Sequence, residues 1–159
     1  MPFRRPKHED PYHKGRPGTR WALMEKFVIS RDESDPYLTR WRIVHTPWFG
    51  VLLHKIQRPD GDPVPHDHPW NFGTLILKGG YTEQVVHRGI EGPIAYRVSR
   101  LHKWKPGSYH KMRRGAYHRI VKLAGGGPCW TLVLTGPRRG DWGFLTPEGH
   151  IPWKEYLGV

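Results

Sequence analysis

The chain has little cysteine and few acidic residues. Cys129 is the only cysteine among 159 residues, and 14 Asp and Glu stand against 26 Lys and Arg. A lone cysteine excludes an internal disulfide and favours a reducing compartment. No run approaches the roughly 18 apolar residues of a membrane span, and no signal-peptide pattern is seen. We therefore expect a cytoplasmic protein with no membrane partner.

Proline, glycine and aromatic residues are abundant. The chain has 16 Pro, 19 Gly and eight Trp, and this composition suits many short strands and tight turns better than long helices. Turn signals stand at 59–62, 79–80, 89–93, 104–107, 113–115 and 125–128. We predict eight or nine short strands that close into an all-β barrel, because closure removes exposed sheet edges.

The domain organisation is simple. Residues 1–19 mix proline, glycine and charge, and we interpret them as a basic, extended N-terminal arm. Residues 20–159 fit one barrel domain. Within it, 21–29 suits a short helix or a strand equally well. The tail, 136–159, is expected to pack across the barrel exterior, with one helical turn at 153–157.

The net charge of +12 calls for an explanation. Such a field attracts nucleic acid, acidic surfaces or anionic small molecules. The chain carries no recognised nucleic-acid motif, so a basic protein without a polyanion partner is the alternative. Contact with nucleic acid through the basic surface and the N-terminal arm stays open.

Three histidines form the candidate metal site. His66 and His68 are two residues apart, so in an extended chain both imidazoles leave the same face. His118 follows a turn at Gly115 and opens another apolar run. The alternative is that strand histidines are structural or exposed, since eleven histidines make chance pairs expected. Asp67, between the pair, is expected to satisfy a turn or an arginine.

The segments PVPHDHPWNFGTLILKGG and RRGAYHRI resemble the two motifs of the cupin superfamily. The matching residues are His66, His68, Gly79 and the pair Gly115 and His118, and the resemblance covers roughly residues 48–136. It implies a single-domain double-stranded β-helix, or jelly-roll barrel, with metal at its mouth and a homodimer. Phe72 and Gly73 occupy the positions of the usual glutamate ligand, so a three-His, one-Glu site would need Glu83 or another acid.

Without that acid, the site resembles the thiol dioxygenases. That resemblance implies Fe(II) held by three histidines, two open positions for a thiolate and O₂, and a sulfinate product. Neutral imidazoles leave the metal positive and receptive to a thiolate. Zn, Mn and Ni are the other metals considered. The family's cross-link cysteine has no counterpart near Gly73, and its catalytic tyrosine has none in 129–135.

Further residues are candidates for catalysis and for binding of a small-molecule substrate. His110 is a fourth ligand or lies behind the ligands or at the rim. Arg40 and Arg42 can clamp a carboxylate or phosphate of a substrate if their strand face turns inward, although exposed strand arginines are commoner. The catalytic candidates are Tyr81, His110 and Tyr117. The substrate-binding candidates are Trp70, Asn71, Arg40 and Arg42.

Three functions follow as hypotheses. The first is a metal-binding cupin acting as an Fe(II)-dependent oxygenase similar to the thiol dioxygenases. The second is a non-catalytic basic cupin that binds nucleic acid or an acidic partner. The third is a cupin isomerase or epimerase acting on a phosphorylated or nucleotide sugar, with a histidine as base.

Overall fold

The structure, a computed structural model, is built almost wholly from strands. It describes residues 21–32, 35–91 and 94–158, and the arm predicted over 1–19 lies outside them. The strands are β1 (Ala22–Asp32), β2 (Asp35–His45), β3 (Gly50–Ile56), β4 (Phe72–Lys78), β5 (Tyr81–Glu91), β6 (Ile94–Trp104), β7 (Tyr109–Met112), β8 (Tyr117–Leu123), β9 (Cys129–Thr135), β10 (Gly143–Thr146) and β11 (Gly149–Pro152). A 3₁₀ turn spans Ala124–Gly126, and helix α1 spans Trp153–Leu157.

The strands form antiparallel sheets that enclose one interior. Six strands pair in the order β1-β2-β3-β9-β4-β7, three in the order β6-β5-β8, and β10 pairs with β11. Single bridges from His66 to His118 and to Phe144 link β8 to β10, so the smaller sheets continue into one another. This arrangement confirms the predicted all-β jelly-roll barrel, although the described residues form eleven strands and not the predicted eight or nine.

An apolar cluster fills one end of the interior. Burial alternates along β3 and β9, so every second side chain of these strands points inward. Both sheets contribute to the buried cluster, which consists of Leu38, Ile56, Ile76, Tyr81, Ile120, Leu123 and Cys129. His118 precedes Ile120 by two residues on β8 and therefore points into the same interior, nearer the other end.

Some local expectations were wrong. Residues 89–91 of the predicted loop at 89–93 are strand, because β5 pairs with β6 in continuous register as far as Glu91 and Ile94, and residues 92 and 93 lie outside the described residues. The ambiguous 21–29 segment is strand β1. The tail does carry a helical turn at Trp153–Leu157, but Gly143–Thr146 is a buried strand rather than exterior packing. Its pairing with β11 and its link to His66 explain that burial.

The turn between β4 and β5 depends on glycine. Gly79 has φ 84°, and a Cβ built there would lie 2.7 Å from the carbonyl oxygen of Pro128. Only a residue without a side chain allows both that backbone conformation and that approach. Among the described residues, no helix is long and apolar enough to cross a membrane.

Candidate metal centre

Backbone pairing brings the two histidine segments together. The N–H of His66 donates to the carbonyl of His118 at 3.0 Å, and the N–H of His118 donates to the carbonyl of His66 at 2.9 Å. Directly opposed residues of an antiparallel pair have Cβ atoms about 5 Å apart on one face. Two residues separated by 52 positions in sequence are therefore fixed as neighbours by the sheet itself.

The three imidazoles form a nearly regular triangle. Ring centroids are 5.1 Å apart for His66 and His68, 4.9 Å for His66 and His118, and 5.0 Å for His68 and His118. One ring nitrogen from each lies within 4.8 Å of the others, and Nε2 of His68 is 2.9 Å from Nε2 of His118. Two bonds of about 2.1 Å at a right angle place their donors about 3.0 Å apart. The geometry fits adjacent positions around one metal ion.

Two of the three ligand candidates, His66 and His68, are held neutral by their surroundings. Burial lowers the pKa of His66 to about 4. Burial also holds the pKa of His68 well below its usual value, and the charges of His118, His66 and Arg40 act in the same direction. A neutral imidazole keeps a lone pair for a metal, so at neutral pH these rings are ready to bind.

Glu83 supports His118 from behind. Its carboxylate is 1% exposed, accepts a hydrogen bond from Nδ1 of His118 at 2.6 Å, and accepts another from Nε1 of Trp104 at 2.8 Å. Burial alone would raise the pKa of Glu83, but the bond from His118 and the neighbouring charges outweigh it and lower that pKa. The contact fixes the His118 tautomer with Nε2 directed at His68. Glu83 therefore orients a ligand rather than supplying a fourth one.

Two of the predicted catalytic residues lie behind this carboxylate. His110 shares a 2.9 Å hydrogen bond with the hydroxyl of Tyr81 and stacks on Trp104 at 4.2 Å between centroids. Its Nδ1 is 4.0 Å from Glu83, and it is not part of the three-histidine group found in the described part of the chain. His110 and Tyr81 thus reach the site only through Glu83.

The remaining catalytic candidate faces away from the site. Tyr117 adjoins His118 on β8, and strand alternation places its side chain on the opposite face. Its hydroxyl is hydrogen-bonded to Nδ1 of His150 at 2.7 Å. The structure therefore does not bring Tyr117 to the three histidines.

Aromatic rings surround the histidines. Phe72, at the position of the missing acid, lies 5.0 Å from His68 and 5.7 Å from His118 between centroids. Trp142 and Phe144 each lie 6.1 Å from His66. The sequence analysis did not assign these two tail residues to the site. The tail is rich in aromatic residues, but no pattern of residue spacing relates them to the three histidines.

The position of the tail depends on Asp67. The backbone N–H of Asp67 donates to the carbonyl of Gly143 at 3.0 Å, and its Oδ1 accepts from the Gly143 N–H at 2.7 Å. The sequence analysis expected Asp67 to satisfy a turn or an arginine, and its carboxylate instead accepts from the backbone of a residue distant in sequence. The same bonds place Phe144, one residue later, beside His66.

The predicted substrate-binding residues divide by location. Trp70 stacks on His68 with ring centroids 6.0 Å apart, so Trp70 borders the site. Cζ of Arg138 lies 5.9 Å from the ring centroid of Trp70. Asn71 is exposed, and its Oδ1 accepts from the backbone N–H of Arg114 at 2.7 Å. Asn71 therefore joins two loops instead of lining the interior.

Both strand arginines turn inward, contrary to the commoner exposed arrangement. Arg40 is 9% exposed and its Nε donates to Nε2 of the buried His54 at 2.9 Å. Arg42 is 3% exposed and bonds to Glu25 at 3.0 Å. Burial, and then the charge of Arg40, holds the pKa of His54 well below its usual value. The charge of Arg40 also helps to lower the pKa of His68, and this links Arg40 to the metal centre.

No protein-family model matches the sequence, and no curated protein matches it. Solved structures are similar in fold. A cupin-2 domain protein of Rhodospirillum rubrum is 16% identical, with a TM-score of 0.54 over 94% of this chain and 87% of that one. The Fe(II) form of HppE, a hydroxypropylphosphonic acid epoxidase, is 13% identical, with a TM-score of 0.53 over 75% of this chain. The match spans only 65% of the epoxidase chain. The protein therefore has the cupin fold, with a three-histidine group in its interior that can hold a metal ion.

Proposed function

We propose that the protein is a small Fe(II)-dependent oxygenase that oxidises a thiol-bearing, anionic small molecule. The observation that carries this proposal is the triangle of three imidazoles with Phe72, rather than an acid, beside it. Three neutral ligands leave the full charge of a divalent ion, whereas a carboxylate ligand would cancel half of it. A metal centre of this kind favours an anionic donor such as a thiolate.

The chain's own residues would prepare the site for that ion. Glu83 holds His118 in the tautomer that binds metal, and Trp70, Phe72 and Phe144 pack aromatic surface against the three rings. That surface excludes water and strengthens electrostatic interactions within the site. Fe(II), when bound, would supply positions for a thiolate and for O₂. In the overall reaction R–S⁻ and O₂ combine to R–SO₂⁻, and the sulfur supplies the electrons that reduce O₂.

Arg40 is the favoured contact for a second anionic group of the substrate. Its guanidinium is buried and acts electrostatically on His68, and it is positioned by His54. A buried guanidinium recognises a carboxylate or phosphate by charge-assisted hydrogen bonds. Arg42 is held by Glu25, which makes it the weaker candidate.

The test begins with metal content. Protein purified without a metal-affinity tag is loaded anaerobically with Fe(II), and bound metal is counted by mass spectrometry for wild type and for a His66→Ala, His118→Ala variant. His87→Ala, at an exposed histidine of β5, is the control. We expect one ion in wild type and in the control, and loss of that ion in the double variant. Equal retention by the double variant would exclude the site.

The second stage separates oxygenase from isomerase. Loaded protein is offered a panel of small thiols that carry a carboxylate, and O₂ uptake is measured with product mass. We expect stoichiometric O₂ uptake and a product heavier by two oxygen atoms. A cupin isomerase or epimerase acting on a phosphorylated or nucleotide sugar is the alternative, since Arg40 suits phosphate equally. Turnover of such a sugar without O₂ would favour that alternative.

A further inference from the structure

The outer face of the six-stranded sheet carries an apolar strip. Cross-strand register aligns five side chains across β2, β3, β9, β4 and β7, and these are Trp41, Leu53, Leu132, Leu75 and Tyr109. Each is adjacent in sequence to an inward-facing residue and so points away from the interior. Tyr109 is 49% exposed, and Leu134 and Leu77 beside the strip are 47% and 46% exposed. We call this surface the outer face.

Lysines flank the strip. Lys26 pairs with Trp41, Lys55 and Lys78 both pair with Trp130, and Lys111 pairs with Gly73 at the edge strand. The Nζ atoms of Lys26 and Lys55 lie 5.7 Å from the ring centroids of Trp41 and Trp130, respectively. Those two indoles stack at 5.6 Å with an interplanar angle of 13°. Basic and aromatic groups therefore alternate on one surface.

The charged groups on the outer face are positive. Among residues of these six strands whose side chains the structure describes, the one acid is Glu25, and it is bonded to the buried Arg42. A two-fold dimer through this face would set lysines against lysines, since the same patch meets itself. The surface instead complements a partner that offers negative charge together with flat apolar groups.

We propose that the outer face binds single-stranded nucleic acid. Unpaired bases stack on aromatic and apolar side chains irrespective of sequence, and phosphates pair with the surrounding lysines. The strip crosses five strands spaced about 4.8 Å apart, so it extends about 19 Å. The net charge of +12 attracts a polyanion to this face from a distance. Binding here is independent of the metal centre, which lies inside the barrel.

The test is fluorescence anisotropy with labelled dT and rU 20-mers, and with a duplex of equal length, across a salt series. Four lysine contacts predict a slope of log K against log salt of about −3 for a single strand, with weaker binding of the duplex. Lys26→Ala, Lys55→Ala should reduce that slope by about 1.4 and weaken binding about tenfold or more. The matched control is Lys103→Ala, Lys122→Ala, which removes equal charge beside Thr82 on the other sheet.

Stacking is tested at an exposed position. Tyr109→Ala should weaken binding of the single strand, whereas Tyr109→Phe should retain it because the ring remains. The His66→Ala, His118→Ala variant should bind the oligonucleotides as wild type does, which separates this proposal from the metal site.

Several results would overturn the proposal. Equal losses in the two lysine pairs, or an affinity that does not change with salt, would exclude specific contact by the outer face. Equal binding of duplex and single strand would exclude base stacking. Binding to vesicles of 20% phosphatidylserine without binding to oligonucleotides would assign the surface to membranes. A doubled mass in light scattering that Leu134→Glu returns to monomer would assign it to a second copy.

Discussion

Replacing Glu83 by Gln tests the metal centre most directly. The carboxylate accepts hydrogen bonds from two donors, Nδ1 of His118 and Nε1 of Trp104, on its two oxygens. A carboxamide has one oxygen and one NH₂ group, so it can accept from one donor only and must turn its NH₂ towards the other. If the NH₂ faces His118, the imidazole is driven into the tautomer whose Nε2 carries a proton, and that nitrogen cannot bind metal.

The magnitudes follow from these contacts. An unsatisfied donor in a group that is 1% exposed costs about 1–3 kcal/mol of the free energy of unfolding. Loss of the carboxylate behind a metal-binding histidine typically lowers metal affinity about 10–100-fold. We therefore expect Glu83→Gln to fold less stably without metal and to bind Co(II) or Fe(II) at least tenfold more weakly than wild type.

The assay combines anaerobic metal titration with urea denaturation in a chelator. Glu25→Gln, the same change at a glutamate bonded to Arg42, is the control for metal affinity. Trp104→Phe removes the competing donor, so in that background the amide oxygen of Gln can accept from Nδ1 of His118, and Glu83→Gln should cost less stability and less metal affinity than it does alone. Wild-type metal affinity in Glu83→Gln would refute the assigned role of the carboxylate.

Three other predictions concern the interior and one turn. His54 accepts a hydrogen bond from Arg40 and has a lowered pKa, so the unfolded chain takes up its proton first as pH falls below about 6.5. In the presence of a chelator, the free energy of unfolding should therefore fall between pH 7.5 and 5.5, and it should fall less steeply in His54→Gln. The same pH dependence for wild type and His54→Gln in urea denaturation would contradict this. Phe72→Glu should add a fourth ligand, tighten metal binding and abolish thiol oxidation. An unchanged metal affinity would contradict the placement of residue 72 beside the three histidines. Gly79→Ala should destabilise more than twice as much as Gly107→Ala in thermal denaturation, because both have φ near 85° but only Gly79 faces a backbone atom; equal losses would refute the close approach.

The three metal-ligand candidates were predictable from the sequence because each is marked by a local pattern, whereas their meeting depends on the pairing of His66 with His118. A histidine pair at i, i+2 has a fixed relative direction in extended chain, and Gly115 marks the turn before His118. Helix α1 over Trp153–Leu157 also matches its predicted bounds. In each case the signal lies within a few consecutive residues.

The fold of the tail and the support of the ligands were not predictable in this way. Phe144 reaches His66 because residues 65–67 pair with residues 143–145, and one of these contacts joins Asp67 to Gly143, 76 residues away in sequence. Glu83 meets His118 through the register of β5 against β8. Such pairings depend on which strands become neighbours, and alternation within a strand carries no information about its neighbour.

The sequence by itself determined the strand-rich class, the turns and the three metal-ligand candidates, since turn chemistry and side-chain alternation act over short distances. Only the tertiary structure decided which strand face is inside. Arg40 and Arg42 alternate with Trp41 on β2, and either face was compatible with that pattern. The arginines are buried because His54 and Glu25, on other strands, offer them partners, while the tryptophan is left on the outer face.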